Sequence, residues 1–146
     1  MSDNSFVGRK GGKEASSLAT GLSVRRQVMG DQFVDAALHR ATGTDGETLQ
    51  AYVTEHIWGA VWTRPELDRR SRSLLNLGIL ISLRAHEELA GHVRGALRNG
   101  LTRVEIVEAV IHAAAYCGAP AGLAAMRIVQ DSLVAELGPL PSKDDE

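Results

Sequence analysis

The chain has 146 residues, 44% of them hydrophobic and 23% charged, with a formal net charge of -2; this suffices for one domain with a real core and lacks the concentrated positive field of a nucleic-acid or anionic-membrane surface. No apolar run approaches the ~20 residues that span a bilayer, and the N-terminus MSDNSFVGRKGGKEASS has no hydrophobic signal core, so a cytoplasmic protein is expected. A single cysteine, Cys117, excludes an intrachain disulfide and a multi-cysteine metal site.

Residues 1–20 are rich in Ser, Gly and Lys with almost no apolar periodicity, which predicts a flexible arm ahead of a domain over residues 21–138. Ser23 is a candidate N-cap, and Val24, Val28 and the aliphatics of FVDAAL predict a first helical region interrupted near Gly30-Asp31. Ala41 to Gly46 reads as a loop. Asp45 is a candidate cap for a helix that carries Leu49, Val53 and Ile57 inward and breaks near Gly59, with Trp58 and Trp62 flanking the break. Pro65 then suits a helix start, and the run Leu74 to Leu83 is apolar enough to predict a central helix.

The stretch Leu83 to Glu105 joins a helix, its stop and the next helix's start. Glu88 and His92 are four apart, hence neighbours on one face, at the edge of a stripe formed by Leu89, Val93, Ala96 and Leu97. They form either a weak surface ion pair or a site in which carboxylate and imidazole share a proton. Asn99-Gly100 is a helix stop, and Thr102 with Glu105 is a capping box. Beyond it, Val104, Val107, Val110, Ile111, Ala114 and Cys117 predict a further stripe with Cys117 as a small buried hydrophobe. Gly118-Ala119-Pro120 breaks the chain before a last helix, about Pro120 to Leu137, capped by Gly138 and followed by a tail, residues 139–146. No strand-like alternation of useful length occurs, and the fold class expected is all-α.

Several residues carry two readings. Arg72 follows Asp68 by four and is an exposed helix ion pair or a carboxylate clamp. Arg64, between Trp62 and Pro65, is placed to fork onto a substrate carboxylate. Trp58 and Trp62 are core or interface anchors, or walls of a substrate site; Tyr116 and His112, four apart, suit a subunit interface or a pocket wall. His86-Glu87 opens like a zincin motif, but Ala90 stands where the second histidine belongs, and no metal site is expected. A GxSxG elbow and a Gly-rich phosphate loop after a strand are both absent.

The elements WGAVWTRPELDRRSRSLL, EELAGHVRGALRNGLTRVEI and AAAYCGAP, in that order, resemble the 4-carboxymuconolactone decarboxylase family, with weaker support from VRRQVMGDQFVDAAL. The likeness covers roughly Val24 to Val134. The wider superfamily includes AhpD-type alkylhydroperoxidases, whose Cys-x-x-Cys-x-x-x-His motif falls on Ala85, Glu88 and His92 here; with both thiols absent, a dithiol peroxidase mechanism is excluded. The resemblance implies a compact bundle of about six helices assembled into trimeric or hexameric rings. It also implies cofactor-free decarboxylation of 4-carboxymuconolactone, a dicarboxylate lactone, to 3-oxoadipate enol-lactone in the β-ketoadipate pathway, with the unsaturated lactone as electron sink. In that reading His92, Glu88 and Arg72 are catalytic, His92 being the general acid, while Arg64, Trp58, Trp62 and Tyr116 bind substrate. Two alternatives remain at this stage: an enzyme acting on another lactone or enolisable acid of a biosynthetic cluster, and an oligomeric binding protein without catalysis.

Overall fold

A computed structural model describes residues 16–141. Among them are seven α-helices, α1 Ser17–Met29, α2 Asp31–Ala41, α3 Glu47–Tyr52, α4 Arg69–Leu83, α5 His86–Arg98, α6 Arg103–Cys117 and α7 Ala119–Leu137, with a π-helical segment Val53–Trp58 continuing α3. No strand occurs among the described residues, so the all-α class holds.

Most breaks fall where glycine, proline or a cap placed them. Gly30, Gly118 and Gly138 end α1, α6 and α7 with positive φ of 88°, 92° and 78°, a region that L side chains rarely adopt. Thr102 and Glu105 form the complete capping box of α6. Three starts differ. Ser16, not Ser23, caps α1, its Oγ accepting from the Ala19 amide, so residues 17–20 are the helix's first turn; residues 1–15 and 142–146 of the anticipated arm and tail lie outside the described residues. Gly46 rather than Asp45 precedes α3, with the Glu47 carboxylate accepting instead from the Gly43 amide. At α4 the cap is Asp68, accepting from the Ser71 amide at 2.7 Å, so Pro65 belongs to the preceding turn.

Two apolar clusters hold the bundle. In the larger, Leu77 and Ile81 of α4, Leu89, Val93 and Ala96 of α5, Ile106 and Val110 of α6, and Ala125, Val129 and Leu133 of α7 interlock. The smaller joins Val24, Val28 and Met29 of α1 and Val34 of α2 to Trp58 and Trp62. α1 packs against both the π-helical segment and α5, which brings the smaller cluster up to the α4–α5 hairpin. The candidate site lies where the two meet.

Two apolar faces fall outside the core. On α4 only Ser73, Leu77 and Ile81 are buried, while Leu74, Leu75, Ile79 and Leu83 are exposed, so this helix is central on one face only. On α6 the inward stripe is Ile106, Val110 and Ala113; Val104 and Ile111 face outward, and Cys117, the helix's last residue, is exposed rather than buried. Both helices are apolar on two sides, and periodicity alone does not choose between them.

Candidate active site

His92 sits on α5 opposite α4, and the hairpin between the two helices sets Asn76 Nδ2 3.0 Å from His92 Nδ1. An amide nitrogen only donates, so Nδ1 accepts and the proton of the neutral ring is carried by Nε2. The imidazole lies parallel to Trp58, within 1° at a centroid separation of 6.1 Å, and Trp62 lies 6.3 Å away. The indoles themselves stack at 4.9 Å. Trp58 and Trp62 are thus core residues and walls of the histidine's environment at once, being 5% and 8% exposed.

Burial pushes the His92 pKa down from its ordinary 6.5 to about 4, against an opposing upward push from the Glu88 carboxylate. The sequence pairing of these residues is therefore correct in face and in sign, but desolvation outweighs the charge. Glu88 is exposed and acts on the ring through its field; the ring's hydrogen-bond partner is Asn76. The free protein holds His92 neutral at pH 7, with an N–H donor at Nε2.

The tryptophans reach this position through the π-helical segment. Its widened register is seen in the amide bonds from Gly59 to Thr54 O and from Trp62 to Ile57 O, five residues back. Each residue then turns through a smaller angle than in an α-helix, so the buried face moves onto Thr54 and Trp58. Leu49 and Ile57, expected inward, are 63% and 43% exposed. Close contact with α1 also demands glycine: a Cβ at Gly21 would stand 2.0 Å from the Thr54 carbonyl oxygen, and one at Gly59 2.5 Å from that of Ser17. Above Gly21 on α1, Arg25 is buried, and its Nη1 donates to Thr54 Oγ1 at 2.9 Å. The Nε–H of Arg25 is buried with no partner among the described residues, and burial lowers the pKa of this guanidinium.

Arg72 lies one turn before Asn76 on the same face of α4. It makes no ion pair with Asp68; its Nη2 donates to the Arg64 carbonyl oxygen at 3.2 Å, and its Nε is buried without a partner among the described residues. Arg64 itself contributes that carbonyl, while its guanidinium points to the surface, 3.6 Å from Glu66. Tyr116 stands elsewhere in the protomer. It is 81% exposed, pairs with His112 at 5.1 Å between centroids, and lines with Leu74, Leu75, Val104 and Cys117 a groove of about 670 Å³ between α4 and α6.

The structure thus gathers His92, Trp58 and Trp62, sets Arg72 one turn from Asn76 on α4, keeps Glu88 exposed, and sets the Arg64 guanidinium and Tyr116 apart. It adds Asn76 and Arg25, which sequence reasoning missed. An asparagine inside LLNLGILI, four residues after Arg72, was the available signal for the first. Arg25 beside the inward Val24 and Val28 gave a weaker one. No three His, Cys, Asp or Glu side chains come together as metal ligands among the described residues. No helix there is long and apolar enough to cross a membrane.

Chemically the cluster offers a neutral N–H donor against flat aromatic walls. Such a set suits a planar anion whose negative charge grows at one end. The model of the carboxymuconolactone decarboxylase family matches residues 47–131, from α3 into α7. Nitrosuccinic acid decarboxylase npaB of Metarhizium robertsii is 48% identical over 113 residues, spanning 77% of this chain and 78% of that protein. The 4-carboxymuconolactone decarboxylase of Acinetobacter baylyi is 35% identical over 123 residues, spanning 84% and 90%.

Proposed function

This chain belongs to the carboxymuconolactone decarboxylase family and is a carboxy-lyase, and we propose that its substrate is a dicarboxylic acid whose departing carboxylate sits beside a built-in electron acceptor. The two relatives' substrates share this design. In nitrosuccinic acid the acceptor is the nitro group; in 4-carboxymuconolactone it is the unsaturated lactone. In either, the bond to the carboxylate breaks, carbon dioxide leaves, and the electron pair moves onto acceptor oxygens as a nitronate or a dienolate that is then protonated on carbon. Neither path needs a cofactor as electron sink.

The observation that carries the reading is His92 held neutral with its proton on Nε2. That N–H donates to the acceptor oxygen where charge accumulates, so it binds the transition state more strongly than the substrate. As that charge grows, the ring's pKa rises, because a neighbouring anion favours the protonated imidazole. Trp58 and Trp62 exclude water and flatten the site, and Arg72 offers its guanidinium to a carboxylate.

Between the two acids, the higher identity to the nitrosuccinic acid decarboxylase favours an α-nitro dicarboxylate over the lactone and over a place in the β-ketoadipate pathway. Separate incubation of chelator-treated protein with nitrosuccinate and with 4-carboxymuconolactone, following carbon dioxide above the spontaneous rate, tests this. A higher kcat/KM on nitrosuccinate is expected; a higher value on the lactone reverses the assignment. A reading in which the chain binds but does not turn over either acid predicts no release from both.

In this account the protein's partner is itself. Leu75, Val104 and Tyr116, 59%, 68% and 81% exposed, line one outer groove on α4 and α6, and exposed apolar side chains gathered in this way mark a contact surface. Association of identical chains through this face, as trimers or hexamers, covers it and closes Tyr116 into an interface.

A further inference from the structure

The decarboxylase reading gives Arg72 an anion but leaves a more deeply buried cation without one. Arg25 is 6% exposed, and one hydrogen bond to a neutral hydroxyl, Thr54 Oγ1 at 2.9 Å, is its side chain's complement among the described residues. That hydroxyl is committed in turn, donating to the Gln50 carbonyl at 2.8 Å, so it accepts from Arg25 in a fixed geometry. No carboxylate lies within 4.0 Å of the guanidinium there. A buried charge with neither counter-ion nor full hydrogen bonding is strongly unfavourable, and a fold keeps one where an anion arrives to complete it.

Its location names the anion. Arg25 shares α1 with Val24 and Val28, both packed with Trp58 and Trp62, and its partner Thr54 is one turn before Trp58 on the buried face of the π-helical segment. The residue that Arg25 holds is thus four positions before the ring that lies parallel to His92. We propose that Arg25 is a second substrate-binding cation of this site, sharing with Arg72 the carboxylate that the reaction retains. The assignment rests on the dicarboxylate reading above. A guanidinium gripping the departing carboxylate would stabilise the ground state that must lose its charge, whereas one on the retained carboxylate holds the molecule without opposing the bond cleavage. The planar fork of arginine fits the two carboxylate oxygens. Arg25 also lies outside the span matched by the family model, on α1, which packs tightly against the π-helical segment at Gly21 and Gly59.

The test compares wild type, Arg25→Met and Arg25→Lys by steady-state turnover of nitrosuccinate, and by thermal melting with succinate, an unreactive dicarboxylate, or butyrate, a monocarboxylate. Succinate is expected to raise the wild-type melting point more than butyrate does. Arg25→Met, of similar length and without charge, is expected to melt no lower than wild type without ligand, to lose the extra shift from succinate, and to raise KM about 10²-fold with a smaller change in kcat. Arg25→Lys keeps the charge but not the fork, and is expected to raise KM by a lesser factor. An Arg25→Met protein with wild-type KM and succinate shift overturns the proposal. So does an unfolded Arg25→Met beside an Arg25→Lys with wild-type KM, which assigns the residue to the fold alone. If wild type releases no carbon dioxide from either acid, the decarboxylase reading fails, while the succinate shift still reports on Arg25.

Discussion

Asn76 holds His92. The amide nitrogen of one lies 3.0 Å from Nδ1 of the other across the α4–α5 hairpin, and the contact decides which ring nitrogen carries the proton. Replacing Asn76 by Ala is expected to lower kcat by about 10-fold or more, because the neutral ring then populates both tautomers and half-turned orientations. Asn76→Asp is expected to act differently: its carboxylate accepts from Nδ1 and raises the histidine pKa. Histidine NMR of the two variants, read beside kcat, checks both statements; an Asn76→Ala enzyme with unchanged kcat and His92 signals contradicts the positioning role.

The depressed His92 pKa has a consequence for stability. An unfolded chain takes up the proton near pH 6.5, while the folded one resists until about pH 4. Stability is therefore complete above about 6.5 and is lost as pH falls toward 4, by at most about 3 kcal/mol. Thermal melts between pH 7 and pH 4 are expected to show this slope, reduced in His92→Asn. An NMR titration midpoint near 6.5 for His92 in the folded protein contradicts the burial argument.

Of the two arginines singled out by sequence, Arg72 is expected to matter more. Its Nε is buried with no partner among the described residues, whereas the Arg64 guanidinium faces Glu66 at the surface. Arg72→Ala is expected to raise KM by about 10²-fold, and Arg64→Ala by only a few-fold, since the backbone carbonyl that steadies Arg72 survives that substitution. Equal effects on KM from both variants contradict the arrangement.

The outer face of α4 and α6 predicts self-association. Leu75→Glu, on an exposed position, is expected to leave helix content unchanged and to shift the protein to smaller species in sedimentation velocity. A wild-type protein that sediments as a monomer at micromolar concentration contradicts the expectation.

Much of this molecule was legible in its residues. The breaks at Gly30, Asn99-Gly100, Gly118 and Gly138 and the box at Thr102 and Glu105 follow from local chemistry that no tertiary contact overrides. That His92 lies at a core edge and that Trp58 and Trp62 flank a helix break follow from residue type and spacing. What failed depended on non-local geometry. The π-register that turns Thr54 and Trp58 inward depends on tight packing against Gly21, which lies more than thirty residues earlier. Cys117 was misread because α6 is apolar on two faces, and only the packed bundle says which is covered. Asn76 and Arg25 find their hydrogen-bond partners sixteen and twenty-nine residues away.

The most direct measurement is carbon dioxide release from nitrosuccinate by chelator-treated wild type and by His92→Ala, each corrected for the spontaneous rate and accompanied by circular dichroism. Release by wild type is expected, with a drop of about 10²-fold or more in the variant and helix content intact. Turnover by His92→Ala within a few-fold of wild type would contradict it, and would remove the histidine from the chemistry.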